Sequence, residues 1–257
     1  MAIAPQPGAP AVEHATGPQE TYADLLHLPA LLAAASSDPD PAMRLFLIVH
    51  QSCELMFKEI VDRAGDARDA LTAHDAAYAA EMARPLPALV RVLSVQFEVL
   101  LSLTRPQFEK IRSRAGTASG IQSAQWRRAE YICGLRDARH VNTEGFSAAE
   151  RRALQRELDR PSLASEFQAY ARDPRMRRSP ERTEQTERLR RGLVAFDDAV
   201  TRWRAGHIEI ARHFLAGRDG TAGTTGERYL ADAATRCLIP GLHQHPEFAP
   251  HHLQGAT

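Results

Sequence analysis

The sequence has few cysteines, no excess charge of either sign and no long hydrophobic run, and each absence excludes a class of protein. The three cysteines, Cys53, Cys133 and Cys237, form no CxxC pair, no CxxCH motif and no zinc quartet. They are typical of reduced core thiols in a cytoplasmic protein. Lys and Arg together number 32, as do Asp and Glu, so the charge indicates no nucleic-acid or anionic-membrane partner.

Targeting and membrane segments are also missing from the sequence. Residues 1–20 have neither a basic start nor an apolar run, so we expect a disordered tail there and not a signal peptide. No stretch approaches the roughly 18 apolar residues that a membrane helix needs. We therefore expect a cytoplasmic protein without a membrane partner.

Helical periodicity dominates the rest of the chain, and alternating strand patterns are nearly absent. The pattern predicts a short helix over 21–28. Pro29 either ends this helix or begins a second short helical segment. The pattern also predicts a long helix over about 42–71, which Asp40 can cap, with Pro41 at its first position. Another helix is predicted over 74–102, although two prolines inside it should kink or interrupt it.

The fold class follows from these helices and from the length of the chain. No internal repeat is visible, and 257 residues can bury a sizeable core. We therefore predict an all-α, single-domain helical bundle over residues 21–242, between tails at 1–20 and 243–257.

Two histidines lie in apolar stripes of predicted helices. His50 shares a helix face with Phe46, Cys53, Phe57 and Ile60. His207 shares one with Leu193, Phe196, Val200, Trp203, Ile210 and Phe214. A buried imidazole needs a hydrogen bond or a metal, because desolvating it alone is costly. Either histidine could be a satisfied core residue, but the two together favour a functional site.

The local sequences exclude several kinds of metal site. A carboxylate di-iron bundle needs two Glu-x-x-His pairs, and a zinc protease helix needs HExxH; the sequence has neither. One histidine per helix in an apolar stripe suits haem better, since haem needs an axial imidazole and a mostly apolar slot.

Longer segments around these histidines are more specific. HQSCELMFK resembles HQxxELxxK, and FEKIRSRAGTASGIQSAQWRRAE resembles FxxxR…GxxSGxQSxQxRxxE. ETYADLLHLPALL, DRPSL and WRAGHIEIARHFLAGRDGTAGTTGERYL resemble TYxxYLxLDxLL, a PSL helix start and WRxxH…GTGGSSGxxYL. The five motifs, in this order, are those of the tryptophan 2,3-dioxygenase family, which the chain resembles from about Thr21 to Leu230. The resemblance implies that the helical bundle encloses a b-type haem.

The resemblance also implies which residues surround the haem. His207 matches the axial ligand of the haem iron, and His50 matches a distal, catalytic histidine that hydrogen-bonds the indole N–H of the substrate. Ser119, Gly120 and Trp126 match a stretch that lines the haem.

A second group of residues matches the substrate pocket of the family. Phe46 and Phe108 correspond to walls around the indole ring. Arg112 corresponds to the arginine that binds the substrate carboxylate, for which a guanidinium offers two parallel hydrogen bonds. Thr221 corresponds to a threonine whose hydroxyl meets the amino-acid end of the substrate.

The N-terminal helix implies an oligomer. In the resembling family this segment reaches a neighbouring subunit's active site, so Tyr22 and Leu26 are expected to contact substrate there. The implied assembly is a homotetramer, with a dimer as the alternative.

The sequence departs from the family pattern at several positions. GTAGTTG replaces GTGGSSG, GLRDARH stands where the family has LGNKN, and Leu25 and Pro29 replace a tyrosine and an aspartate. The stretch between the PSL motif and His207 is also tens of residues shorter. These changes spare the positions implied for the haem and the carboxylate.

The implied reaction is the oxidation of L-tryptophan or a close derivative by O2 on ferrous haem. Dioxygenation at C2 and C3, giving N-formylkynurenine, is the first expectation. Monooxygenation of tryptophan or methyltryptophan to an oxindole-type product, in natural-product biosynthesis, is the alternative. A haem-binding sensor or scaffold and a plain helical interaction protein are the alternatives without catalysis.

Overall fold

The computed structural model describes residues 20–175, 179–215 and 227–242, and all regular elements in these ranges are helical, which confirms the predicted all-α class. The α-helices in the described ranges are α1 (Tyr22–Leu25), α2 (Leu28–Ala34), α3 (Pro41–Thr72), α4 (Ala76–Ala83), α5 (Leu86–Leu101), α6 (Arg105–Ala115), α7 (Ala124–Cys133), α8 (Ala148–Asp159), α9 (Leu163–Arg172), α10 (Pro180–Leu215) and α11 (Glu227–Ala234). Short 3-10 helices at Gly120–Gln122 and Ala138–Asn142 flank α7. Among the described residues no single helix is long and apolar enough to cross a membrane, and only the run 76–101 taken with 105–115, bent by 110°, reaches that length and apolarity.

Capping residues and prolines set the limits of the first long helices. The Asp40 carboxylate accepts hydrogen bonds from two backbone N–H groups in the first turn of α3, at 3.0 and 3.4 Å, and Pro41 occupies the first position. The helix predicted over 74–102 is interrupted, as its prolines indicated. Pro85 separates α4 from α5, and Pro87 lies in the first turn of α5, where a missing N–H costs no hydrogen bond.

The chain divides into two compact units, Met1–Ser37 and Asp38–Thr257. The division falls inside the range 21–242, which the sequence analysis treated as one domain. In the described part of the first unit, α1 and α2 bury none of their residues. Pro29 lies in the first turn of α2, so the short second piece that the sequence suggested is present.

The second unit is organised around α10, which packs along α4 and α5, while α3 packs on α4, α5 and α7. The main core draws large side chains from most of these helices, including Phe57, Ile60, Leu71, Leu86, Leu93, Phe167, Leu193 and Phe196. A second hydrophobic cluster lies between the start of α3, the end of α5, α6 and the end of α10, and includes Met43, Val49, Leu100, Ile111, Ile210 and Phe214. Cys53 of α3 packs against both.

Two buried polar side chains of α10 hold the segment around the end of α11. The Asp197 carboxylate accepts hydrogen bonds from the backbone N–H groups of Leu238 and Ile239, at 2.7 and 3.0 Å. The Arg204 guanidinium donates to the carbonyl oxygens of Ala233 and Arg236, at 3.2 and 2.7 Å. Backbone groups that the end of a helix leaves unpaired are thereby satisfied.

Candidate active site

His50 lies on α3, one turn after Phe46. Its Nδ1 is 2.7 Å from the carbonyl oxygen of Phe46, and because a carbonyl only accepts, Nδ1 carries the proton. In the neutral imidazole, Nε2 then keeps a lone pair that can accept a hydrogen bond. Burial lowers the pKa of His50, and the hydrogen bond to Phe46 raises it by a smaller amount. The pKa is therefore lowered overall, which favours the neutral form near pH 7. The two rings lie 4.1 Å apart between centroids.

His207 lies near the end of α10. Burial, followed by electrostatic repulsion from His50, lowers the pKa of His207 to about 4. The two histidines are therefore within electrostatic range of each other, as one shared site requires. No described residue makes a hydrogen bond to the His207 imidazole. His50 is exposed to solvent and His207 is half-buried.

Aromatic rings contact His207. Phe97 of α5 stacks against the imidazole with 5.7 Å between centroids, and Trp203, one turn earlier on α10, lies at 6.3 Å. Trp203 in turn meets Trp126 of α7 edge-on at 4.7 Å, and Phe57 of α3 lies 5.2 and 5.9 Å from the two indoles. We call these four residues, Phe57, Phe97, Trp126 and Trp203, the aromatic cluster. The sequence analysis missed Phe97, because no motif surrounds it.

The two indole N–H groups of this cluster differ in whether a described residue accepts a hydrogen bond from them. Trp126 Nε1 donates to Glu130 at 3.1 Å. Glu130 is itself buried and also binds Arg127 at 2.6 Å and Arg204 at 2.9 Å. The indole nitrogen of Trp203 is buried and has no hydrogen-bond partner among the described residues. A buried donor without an acceptor is costly, so this N–H marks a place where a further group can bind.

The residues predicted for the indole pocket meet at the second hydrophobic cluster. Phe46 and Phe108 both pack against it. Phe108 stacks on Phe214 with 4.3 Å between centroids and 16° between planes. Arg112, half-buried, lies one turn after Phe108 on α6, so an aromatic ring and a cation share one helix face. Phe214 belonged to the stripe of His207 in the sequence, where it had no role of its own.

The other predicted residues lie in several places. Ser119 and Gly120 are in the link from α6 to α7, where the Ser119 N–H donates to the Gln122 side chain at 3.0 Å. They precede Trp126, the one residue of the predicted haem-lining stretch that belongs to the aromatic cluster. Thr221 lies outside the described residues. Tyr22 and Leu26 are in the first unit and are 73% and 42% exposed.

Comparison with known proteins identifies the family. The model of the family described as tryptophan 2,3-dioxygenase matches residues 8–179, which include α3, α6 and α7. A tryptophan 2,3-dioxygenase of a Nocardioides species is 32% identical over 237 residues, covering 83% of this chain and 89% of that relative. Those of Caulobacter vibrioides and Bradyrhizobium diazoefficiens are each 29% identical over 252 residues, covering 86% of this chain and 95% and 90% of the relatives. The chain belongs to the tryptophan 2,3-dioxygenase family, as the sequence motifs indicated. It is therefore an oxidoreductase.

Proposed function

We propose that the protein is a haem-dependent dioxygenase that adds both atoms of O2 to the indole C2–C3 bond of L-tryptophan or a close derivative, giving an N-formylkynurenine. The observation that carries this proposal is the state of His207. Its imidazole is desolvated, has no hydrogen bond to a described residue and has a pKa of about 4. At neutral pH it is therefore a neutral base with a free lone pair, which is the form that ligates iron.

The surroundings of His207 suit a haem better than a metal ion held by protein alone. Within the described ranges, no three His, Cys, Asp or Glu side chains come together to hold a metal. A porphyrin supplies four nitrogen ligands and needs only one or two axial ligands from the protein. The unpaired N–H of Trp203, one turn from His207, offers a hydrogen bond to a polar group of the cofactor or to a water beside it. These features support haem as the cofactor, and we propose His207 as its ligand and Trp126, Ser119 and Gly120 as its lining.

When bound, the haem supplies the iron that activates O2 for attack on the indole. The chain's own residues bind and orient the substrate. The lone pair on His50 Nε2 suits the indole N–H, while Phe46 and Phe108 exclude water from the ring. Arg112 binds the carboxylate, and Thr221 is proposed for the amino-acid end. Because the bound substrate has already lost its freedom of orientation, that loss of entropy no longer adds to the activation free energy of the reaction.

The alternatives are less well supported. The relatives are named dioxygenases, and no contact among the described residues favours insertion of a single oxygen atom. Membership of an oxidoreductase family argues against a haem sensor and against a plain interaction protein.

The assembly that we propose is a homotetramer, with a dimer as the alternative. In the first unit, α1 and α2 expose apolar side chains that such short helices cannot bury by themselves: Tyr22, Leu25, Leu26, Leu31 and Leu32. A neighbouring subunit would cover them. The free thiols of Cys53, Cys133 and Cys237 support a cytoplasmic location.

The test combines cofactor binding with product analysis. The purified protein should bind haem with a strong Soret band, and His207→Ala should lose or greatly weaken that binding. His213→Ala, at an exposed histidine of the same helix, is the matched control and should keep the haem. With tryptophan and isotopically labelled dioxygen, mass spectrometry should find both labelled atoms in one product. A Soret band and axial spectrum that survive His207→Ala, or a product with a single labelled atom, would contradict the proposal.

A further inference from the structure

Gly206 interrupts an otherwise favourable helical sequence directly before His207. It lies well inside α10, where glycine lowers helix stability relative to alanine. A Cβ built on Gly206 would lie 3.1 and 3.2 Å from Cδ2 and Cε2 of Phe97, closer than ordinary carbon contacts. The glycine therefore allows the Phe97 ring to lie directly against the backbone of α10.

From this position the Phe97 ring contacts two side chains of α10 at once. It stacks on His207 at 5.7 Å with 30° between planes, and on Trp203 at 6.3 Å with 7° between planes. The ring thus covers the turn of α10 that leads to His207, with Gly206 beneath it.

The rings of Phe97 and Trp203 contact the imidazole, and no described residue fixes its orientation with a hydrogen bond. A histidine that binds a metal usually donates its second N–H to a carbonyl or carboxylate, which fixes the plane of the ring. No described residue accepts such a hydrogen bond from His207. Packing against neighbouring rings remains as the means of setting its rotation.

We propose that Phe97 is a positioning residue, whose ring, seated against Gly206, sets the orientation of the His207 imidazole toward the haem iron. The inference rests on the proposed function, because it takes His207 as the axial ligand. Gly206 has the role of providing space, and Phe97 acts through the His207 imidazole.

Substitutions on both sides of this contact test the inference. Gly206→Ala adds a methyl group that displaces the Phe97 ring, and Phe97→Leu removes the ring itself. Gly192→Ala is the matched control, since a Cβ there would meet Ala83 Cβ at an ordinary 3.8 Å on the same helix. Circular dichroism checks that each variant is folded. If Gly206→Ala or Phe97→Leu does not fold, Phe97→Met is measured in its place.

The measurements are the g-anisotropy of the ferric haem by electron paramagnetic resonance and the rate of haem loss to an excess of a haem acceptor. We expect Gly206→Ala and Phe97→Leu each to change the g-values and to speed haem loss on the order of tenfold, as for other groups that orient a ligand. The double variant should resemble the single variants and not multiply their effects, because both remove the same contact. Gly192→Ala should match the wild type.

Two different outcomes separate failure of this inference from failure of the proposed function. Unchanged g-values and haem loss in Gly206→Ala and Phe97→Leu, with a haem that His207→Ala releases, overturn the role of Phe97 alone. A protein that binds no haem, or that keeps its spectrum in His207→Ala, overturns the proposed function and this inference with it.

Discussion

Glu130 of α7 and Arg204 of α10 form an ion pair inside the core, with 2.9 Å between Oε1 and Nη2. Their side chains are only 7% and 6% exposed. Glu130 also accepts hydrogen bonds from Trp126 and Arg127, and Arg204 also donates to carbonyls at the end of α11. Burying two charges costs free energy that only a full set of hydrogen bonds offsets. The pair therefore joins α7, α10 and α11 beside the proposed haem site.

Replacing Glu130 by Gln should strongly destabilise the protein. The substitution keeps the shape but removes the charge, which leaves the buried guanidinium of Arg204 uncompensated. We expect the free energy of unfolding to fall by about 3 kcal/mol, measured by urea denaturation of the apoprotein. The control is Glu209→Gln. Glu209 forms an exposed ion pair with Arg212 on α10, so this substitution should change stability little. Equal effects of the two substitutions would refute the prediction.

Replacing Arg112 by Ala should impair substrate use and spare the haem. Loss of a charge-assisted, two-point contact with the carboxylate should lower kcat/KM roughly 30- to 1000-fold, and Arg112→Lys should recover only part of it. Arg114→Ala removes a neighbouring arginine that pairs with Asp38, and serves as the control. Steady-state kinetics with matched haem content are the measurement. A normal kcat/KM in Arg112→Ala would show that the carboxylate is bound elsewhere.

Replacing His50 by Ala should slow the reaction without releasing the haem. His50 is proposed to accept a hydrogen bond from the indole N–H, and a positioned polar group of this kind contributes about 10- to 100-fold in rate. Turnover and Soret absorbance should be measured on the same preparation. Complete loss of haem from this variant would mean that His50, and not His207, holds the iron.

The apoprotein should lose stability as the pH falls from about 6.5 to 4. The pKa of His207 is lowered from an ordinary 6.5 to about 4 in the folded state, so in this range the unfolded chain binds a proton that the folded chain does not. Burial lowers the pKa of His50 and of His140 as well, and both act in the same direction. Urea denaturation of the His207→Gln apoprotein should give a shallower decline than the wild type. An unchanged slope would show that the imidazole is not desolvated.

Deleting residues up to Leu28 should impair assembly and activity together. The deletion removes α1 with its exposed Tyr22, Leu25 and Leu26, which are proposed to meet a neighbouring subunit. Light scattering at micromolar concentration should find a tetramer, or a dimer, for the full chain and a smaller species for the truncated one. A fully active monomer would rule out a site shared between subunits.

Much of the fold was predictable because it depends on local chemistry. The capping carboxylate of Asp40 and the break at Pro85 lie next to the backbone that they affect, so short segments contain the whole cause. The division after Ser37 was not visible, because it depends on which contacts form across the chain.

The residues of the candidate site also separate into those that a local sequence pattern marks and those that it does not. His50, Phe46 and Phe108 could be proposed from the sequence because a stripe or a motif marks each of them, and their roles stay predictions. Phe97 was not proposed from the sequence, because the role proposed for it rests on a ring contact between two helices and on the space above Gly206. A single sequence gives no sign of such a pairing.

The hydrogen bonds from Leu238 and Ile239 to Asp197 constrain the order of events during synthesis. Until residues 238–242 leave the ribosome, the buried carboxylate has no N–H donor from this segment, and the main core lacks Leu238, Ile239 and Leu242. A nascent chain ending at α10 would lack these two hydrogen bonds to Asp197 and the three apolar side chains of the core. The second unit therefore completes its core only after residues 238–242 have been synthesised, and a chain truncated before residue 238 should be less stable than the full chain.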